Sequence, residues 1–257
     1  MKLSSVAAAS IAAALAPVTF GQAVATPAPS APSVVRGNEM QWYFTEGVEI
    51  YTFKGDGENL IGLKQNLGLD LGNGVSLKFV APIYSQGDSM SFGDLNLGAS
   101  VDVASGKNDM VGSWGLAVGG GVYIPTGVDQ FRSENVNPYI NAAFNCDIWV
   151  FDFKQTAEFA FNGGETFLPL LGTKVDTDVM SLGSDLTYKW DSFDIGLAFD
   201  QYYYVTTGEK QLFLGPTAKW RIASNLDLNI GVGIPVYQDV STPESNAVVT
   251  AGFGIKF

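Results

Sequence analysis

Histidine is absent from all 257 residues, cysteine occurs once, and Asp plus Glu outnumber Lys plus Arg by 26 to 14. Without histidine, no Ser/His/Asp or Cys/His catalytic arrangement can form, and the usual histidine-bearing zinc sites are closed off. The lone Cys146 cannot make an internal disulfide, so no oxidised staple holds the fold. A net charge of -12 and a pI near 4.3 argue against nucleic acid, whose backbone selects basic surfaces. The same acidity excludes a polybasic membrane clamp. Neither long loop has a metal-binding spacing. Gly119-Gly120-Gly121 leads into Val122 and Tyr123 on one predicted strand, not into a lysine and a helix, so it is no phosphate-binding loop. No cofactor, no metal and no catalytic residue is expected.

Nor is there a helical stripe after the N-terminal segment. That segment carries Lys2 as its only charge, then an apolar Ala-rich stretch from Val6 to about Leu15, then Ala23-Val24-Ala25. It reads as a secretory signal peptide over 1–25. A Pro/Ser/Ala-rich linker over 26–37 follows, and one domain over 38–257.

What fills that domain is period-two alternation cut by Gly, Asn, Asp and Ser. The pattern predicts strands near 40–53, 59–71, 75–85, 91–104, 110–124, 135–145, 148–161, 177–190, 193–206, 211–221, 226–237 and 246–257. Leu226, Leu228, Ile230, Val232, Ile234 and Val236 share one face of such a strand, with Asp227, Asn229, Gly231, Gly233 and Tyr237 on the other. A soluble sandwich also alternates and is the architectural alternative. The glycines and charges of the polar face suit a lumen better. The expected fold class is all-β, an antiparallel transmembrane β-barrel of about 12 strands. Closure follows from the membrane, because an open sheet edge in lipid leaves costly unpaired backbone groups; the first and last strands must therefore pair.

Short turns are expected at Gly72-Asn73-Gly74, Ser105 to Asp109, Asn145-Cys146-Asp147, Asp191-Ser192 and Ala223-Ser224-Asn225. They alternate with connections that include two long loops, Thr126 to Glu134 and Asn162 to Thr177. This asymmetry is that of a bacterial outer-membrane barrel with short turns and both termini in the periplasm. Trp42, Trp114, Trp149, Trp190 and Trp220 share the short-turn rim and the outward parity, as an aromatic girdle would. Tyr51, Tyr84, Tyr123, Tyr202, Tyr204 and Tyr237 mark the other rim, several with inward parity. The terminal Phe257 resembles the signal read by the outer-membrane assembly machinery, so that machinery and outer-membrane lipid are the expected partners.

Inward parity places Glu49, Asp94, Asp152, Glu158, Asp185 and Asp200 in the lumen, with Lys64, Lys154, Lys219 and Arg221 as partners. They either form an ion-paired wall or bias a water-filled pore towards cations. In the loops, Phe131 and Arg132 follow Ile124-Pro125-Thr126-Gly127, while Phe167, Leu168, Leu170 and Leu171 form an apolar patch. The patch could enter the mouth and meet an apolar solute, rest on lipid, or simply pack. Gly115, Gly119 and Gly121 could open lumen space, receive a loop or allow curvature.

Phe92-Gly93-Asp94-Leu95-Asn96-Leu97-Gly98-Ala99, Gly115-Leu116-Ala117-Val118, Tyr123-Ile124-Pro125-Thr126-Gly127 and Asn137-Pro138-Tyr139 together resemble the outer-membrane channel family associated with the meta pathway of phenol degradation. The resemblance implies a barrel passing small, often apolar or aromatic compounds, and it brings no catalytic set. Twelve-stranded outer-membrane phospholipases rely on a Ser–His pair, which this chain lacks. Two functions remain: passive passage of a small solute, or an occluded barrel with a structural or surface-binding role.

Overall fold

The computed structural model describes residues 40–55, 58–108, 112–241 and 244–257. The predicted signal peptide and linker lie outside the described residues. Twelve long strands form the wall: β1 (Gln41–Phe53), β2 (Leu60–Asp70), β3 (Val75–Gln86), β5 (Leu95–Asn108), β6 (Gly112–Ile124), β7 (Asn137–Ile148), β8 (Phe151–Ala160), β11 (Val179–Lys189), β12 (Phe193–Tyr204), β13 (Lys210–Ala223), β14 (Leu226–Asp239) and β15 (Ser245–Lys256). Three short strands sit in the connections: β4 (Ser89–Phe92), then β9 (Thr166–Leu168) and β10 (Thr173–Val175), which pair as a hairpin.

Every long strand is antiparallel to both neighbours. The first and last pair directly, with Glu49 opposite Thr250, and β2 with β3 completes the ring. Closure leaves no barrel edge to satisfy. The strands are staggered. Direct partners run Tyr84, Gly62, Glu49, Thr250, Gly231, Thr217, Gly196, Thr187, Asp152, Asp147. That row starts beside the long loops and ends beside the short turns, which is the tilt a closed barrel requires.

Side chains alternate across this wall in the sense opposite to a soluble protein. Leu77, Phe79, Leu97, Ile195 and Ile230 are exposed on the outer face, while Glu49, Asn66, Lys78, Asn96 and Asp200 are buried. Facing water, such an outer surface would be a large apolar liability; facing lipid, it is the expected surface. The sandwich alternative is thereby set aside.

Three expected boundaries change. Ser105 to Asn108 belong to β5, after a register shift between Asp102 and Ala104. Asn145-Cys146-Asp147 continue β7, and the turn is Trp149-Val150, with Trp149 at φ 58. Asn and Asp resembled turn residues there, but their side chains face the lumen as paired strand positions. The strand predicted at 91–104 breaks at Gly93-Asp94, for a reason given below.

Candidate functional site

The long-loop end of the lumen is filled. The connection between β8 and β11 carries the β9–β10 hairpin, whose turn Leu168-Pro169-Leu170-Leu171-Gly172 is closed by Leu171 and Gly172 amides donating to the Leu168 carbonyl at 2.9 and 3.0 Å. Gly172 takes φ +63 at this turn, and a Cβ there would meet the Phe53 ring at 2.7 Å. The Ser245 hydroxyl, on β15, donates to the Leu170 carbonyl at 2.5 Å. The hairpin leaves the wall between β8 and β11 and touches β1 and β15, which lie across the ring. It therefore bridges the mouth.

Leu168, Leu170, Leu171 and Phe131 are each 1% exposed. They pack with Tyr51, Phe53, Leu60, Tyr84, Tyr202, Tyr204, Phe213 and Val248 from the wall. Phe167 lies between Tyr84 and Phe131, with ring centroids 5.3 Å from each. Burial of this kind stabilises by about 1.5–3 kcal/mol per large apolar side chain, so the hairpin is held firmly. Of the three readings of the loop patch, resting on lipid is excluded. Five of the six rim tyrosines also point inward: their rings join the plug or the polar wall, and three of their hydroxyls donate to inner-side acceptors. The Tyr51 hydroxyl donates to Glu49, that of Tyr204 to Gln211 at 2.7 Å, and that of Tyr123 to Glu158 at 2.9 Å. Tyr237, expected on the inward face, is the one that is exposed on the outside, because a register shift opposite Leu212 and Phe213 reverses the alternation of β14 there.

The sequence motifs meet beneath the other long loop. The Thr126 hydroxyl donates to the Gly93 carbonyl, and a Cβ on Gly127 would strike the Phe92 carbonyl oxygen at 2.1 Å. Asp94 accepts from the Ser133 amide at 2.9 Å and also from the Ser133 hydroxyl. A Cβ on Gly93 would strike the Tyr84 ring at 2.5 Å. Phe92-Gly93-Asp94 and Pro125-Thr126-Gly127 are thus one clamp that sets Phe131 into the plug. The break after β4 frees Asp94 to reach Ser133. Arg132 pairs with Asp129 at 2.5 Å on the exposed side of the loop.

Burial, the dominant influence, pushes the Asp94 carboxyl above its ordinary range, against lowering by Ser133, Lys174 and Arg132. A closed loop that raises this pKa binds the proton more strongly than an open one. Acidification through the range therefore favours closure, and rising pH weakens it. Asp94→Asn should abolish the pH dependence while keeping an acceptor for Ser133. Asp94→Ala should loosen the loop by about 2 kcal/mol, the scale of hydrogen bonds to a charged group. Protease accessibility of the loop around Gln130 between pH 4 and 8 checks both; equal protection in Asp94→Ala and parent would contradict the clamp.

Below the plug the lumen is polar and largely paired. Lys64 lies 2.7 Å from Glu49, Lys219 is 2.8 Å from Asp227, and Arg221 is 2.5 Å from Asp194. Asp152 is 3.4 Å from Lys189, which also meets Asp147 at 2.8 Å. Lys154 stands in direct register with Asp185. Glu158 takes the Tyr123 hydroxyl, and Lys78 sits 5.7 Å from the Tyr139 ring centre. Asp200 Oδ2 and Glu158 Oε2 are buried without a hydrogen-bond partner among the described residues. The charged residues of the strands named here take the inward parity, while Asp94 lies off the strands in the loop clamp. Lys78, Lys189 and Asp194 were missed, although their parity was readable from the same alternation; Asp227 was read on the polar face without its partner, and Asp147 was hidden in an expected turn.

The five tryptophans gather at the short-turn end. Trp42, Trp149, Trp190 and Trp220 are exposed, Trp149 in the turn itself, and Trp114 is half-buried.

A closed twelve-stranded antiparallel barrel with an apolar exterior, a charged interior and an inserted loop defines an outer-membrane channel or porin fold. The chain matches the family described as "Putative MetA-pathway of phenol degradation" over residues 26–251 and belongs to it. An outer-membrane channel from Pseudomonas putida F1 is similar in structure, with a TM-score of 0.67, 12% identity, and coverage of 90% of this chain and 100% of that one. NanC porin matches with a TM-score of 0.59, 11% identity, and coverage of 82% and 100%. KdgM porin matches with a TM-score of 0.54, 12% identity, and coverage of 84% and 99%. These likenesses establish the fold. No curated protein matches in sequence.

Proposed function

We propose that the chain is a non-enzymatic, passive channel of the bacterial outer membrane for small apolar or aromatic solutes, with a cation-biased lumen. In this reading the short turns and both termini are periplasmic, and the β9–β10 hairpin faces the cell exterior. The tryptophans anchor the periplasmic rim in lipid. Phe257, whose amide donates to the Trp42 carbonyl at 2.9 Å, ends the strand presented to the assembly machinery.

The observation that carries the proposal is the sequence of environments along the axis. A solute first meets an apolar plug of Leu168, Leu170, Leu171, Phe131 and Phe167, then a polar wall. An apolar solute can replace the plug's own contacts as it enters, an exchange a sugar cannot make. The bias towards cations rests on Asp200 and Glu158, whose carboxylates are incompletely paired. The other strand carboxylates named above face a lysine or arginine, and Asp94 is held by Ser133 at the mouth, so the bias is modest. A second reading, an occluded barrel with a structural or surface-binding role, draws on the tightness of the same plug.

Planar-bilayer recording of the refolded mature chain, paired with uptake of phenol into proteoliposomes, separates the two. Solute-dependent flux with small cation-biased currents is expected. A folded, inserted barrel passing neither ions nor phenol would leave only the occluded reading. Asp200→Asn should lower the cation-to-anion permeability ratio by about twofold, the scale of one buried charge in a narrow pore. An unchanged reversal potential would remove Asp200 from the conduction path.

A further inference from the structure

Between its two rims, the described outer face carries one charged side chain. Glu46 alternates with inward Thr45 and Gly47 on β1 and so points outward, directly opposite Gln65 of β2 in the ladder. The Gln65 amide donates to Glu46 Oε1 at 3.5 Å, a long bond. Among the described strand residues facing outward between the two rims, Glu46 is the only Asp, Glu, Lys or Arg. Lys210 and Asp239, which face each other in register, belong to the long-loop rim.

Depth makes this placement costly. Glu46 lies four residues beyond Trp42 on the same face. That spacing is about 13 Å along the strand and roughly 10 Å along the barrel axis, inside an apolar band about 25 Å tall. Its neighbours in the outward row are Ala81 beyond Gln65 and Phe253 on β15. A carboxyl in hydrocarbon calls for a partner. Gln65 supplies one long contact and keeps a second amide hydrogen to give.

We propose that this patch is the contact between two copies of the chain in the membrane. Two barrels inserted the same way round can be related only by a twofold axis along the membrane normal. Glu46 and Gln65 stand side by side in the ladder, offset in depth by only about 3 Å at a strand tilt of roughly 40°. Such an axis passing between them therefore sets Glu46 of each copy against Gln65 of the other, which is the self-complementarity an isologous contact needs. Ala81, small and next in the row, lets the walls approach. Each carboxyl then receives amide hydrogens from both copies, and the polar atoms leave the lipid together. The proposal requires the chain to span a membrane and does not depend on whether its lumen conducts.

The test counts copies in a bilayer. The mature chain carrying Cys146→Ser and a labelled Thr207→Cys, a position exposed in the connection after β12, is reconstituted sparsely and bleached one fluorophore at a time. Two-step bleaching is expected to dominate. In the Glu46→Leu/Gln65→Leu variant, which suits lipid and should still fold by heat-modifiable gel mobility, the two-step fraction should fall at least fivefold. Gln155→Leu, an outward polar residue on the far wall, should leave the count unchanged. One-step bleaching of the parent, or pairs that survive the double leucine variant, would overturn the assignment.

Discussion

Excising the β9–β10 hairpin by joining Gly164 to Asp176 through a short Gly/Ser linker is expected to raise single-channel conductance by on the order of tenfold, since the pore's narrowest, driest section is removed. The hairpin bridges from the β8–β11 side of the mouth to Ser245 and Phe53 on the other, so it crosses the path of any solute entering at that end. The change leaves Tyr51, Tyr84, Tyr202 and Tyr204 facing water, but their hydroxyls tolerate it. The ladder itself is untouched, so the barrel should still insert. Leu168→Asp with Leu170→Asp is the gentler counterpart: buried unpaired carboxylates should expel the hairpin without shortening the chain. Both variants should conduct alike. If excision leaves the current unchanged, the constriction lies lower, among the charged residues and glycines, and the plug is not the gate.

Much of this architecture was legible because a barrel in lipid enforces parity over its whole length. Outward residues must be apolar at every second position, so Leu226 to Val236 could be placed before any fold was known. Inward carboxylates such as Glu49 and Asp200 followed from the same rule. Strand ends were less legible where polar residues had a lumen to face. Asn145 and Asp147 have turn-like side chains yet sit opposite Lys154 and Asp152 in the ladder. Parity also says nothing about what crosses the lumen. Lys64 finds Glu49 across one strand pair, while Lys78 lies over a tyrosine of β7 three strands away, brought near by a register that puts Gly98 and Gly121 between them. The plug was visible as an oddity, because Phe167, Leu168, Leu170 and Leu171 are too apolar for a solvated loop. Its direction depended on the inward tyrosines that receive it, and those had been expected at the rim.

Gly121→Ala is expected to destabilise the barrel by roughly 2–3 kcal/mol, the upper range for overpacking a closed site, and so to lower the yield of folded protein sharply. Gly98, Gly121 and Tyr139 are direct partners on three successive strands. A Cβ on Gly121 would lie 2.1 Å from the Leu97 carbonyl oxygen and 2.6 Å from the Tyr139 hydroxyl; one on Gly98 would lie 2.2 Å from that same hydroxyl. Gly98 and Gly121 therefore seat Tyr139, which reaches across them to donate to Asn96 at 3.0 Å. The two contacts at Gly121 are separable. Tyr139→Phe relieves the hydroxyl clash but not the clash with Leu97, whose carbonyl the strand ladder holds in place. Adding Tyr139→Phe to Gly121→Ala should accordingly recover little stability. Gly163→Ala is the control: its nearest neighbour would be Asn135 Cβ at 3.9 Å, and its effect should stay within about 0.5 kcal/mol. Urea titrations followed by heat-modifiable gel mobility give the comparison. Full rescue by Tyr139→Phe would mean the ring, not the strand spacing, sets the demand for glycine, and a Gly121→Ala barrel as stable as its parent would mean the β5–β6 wall yields where the packing says it cannot.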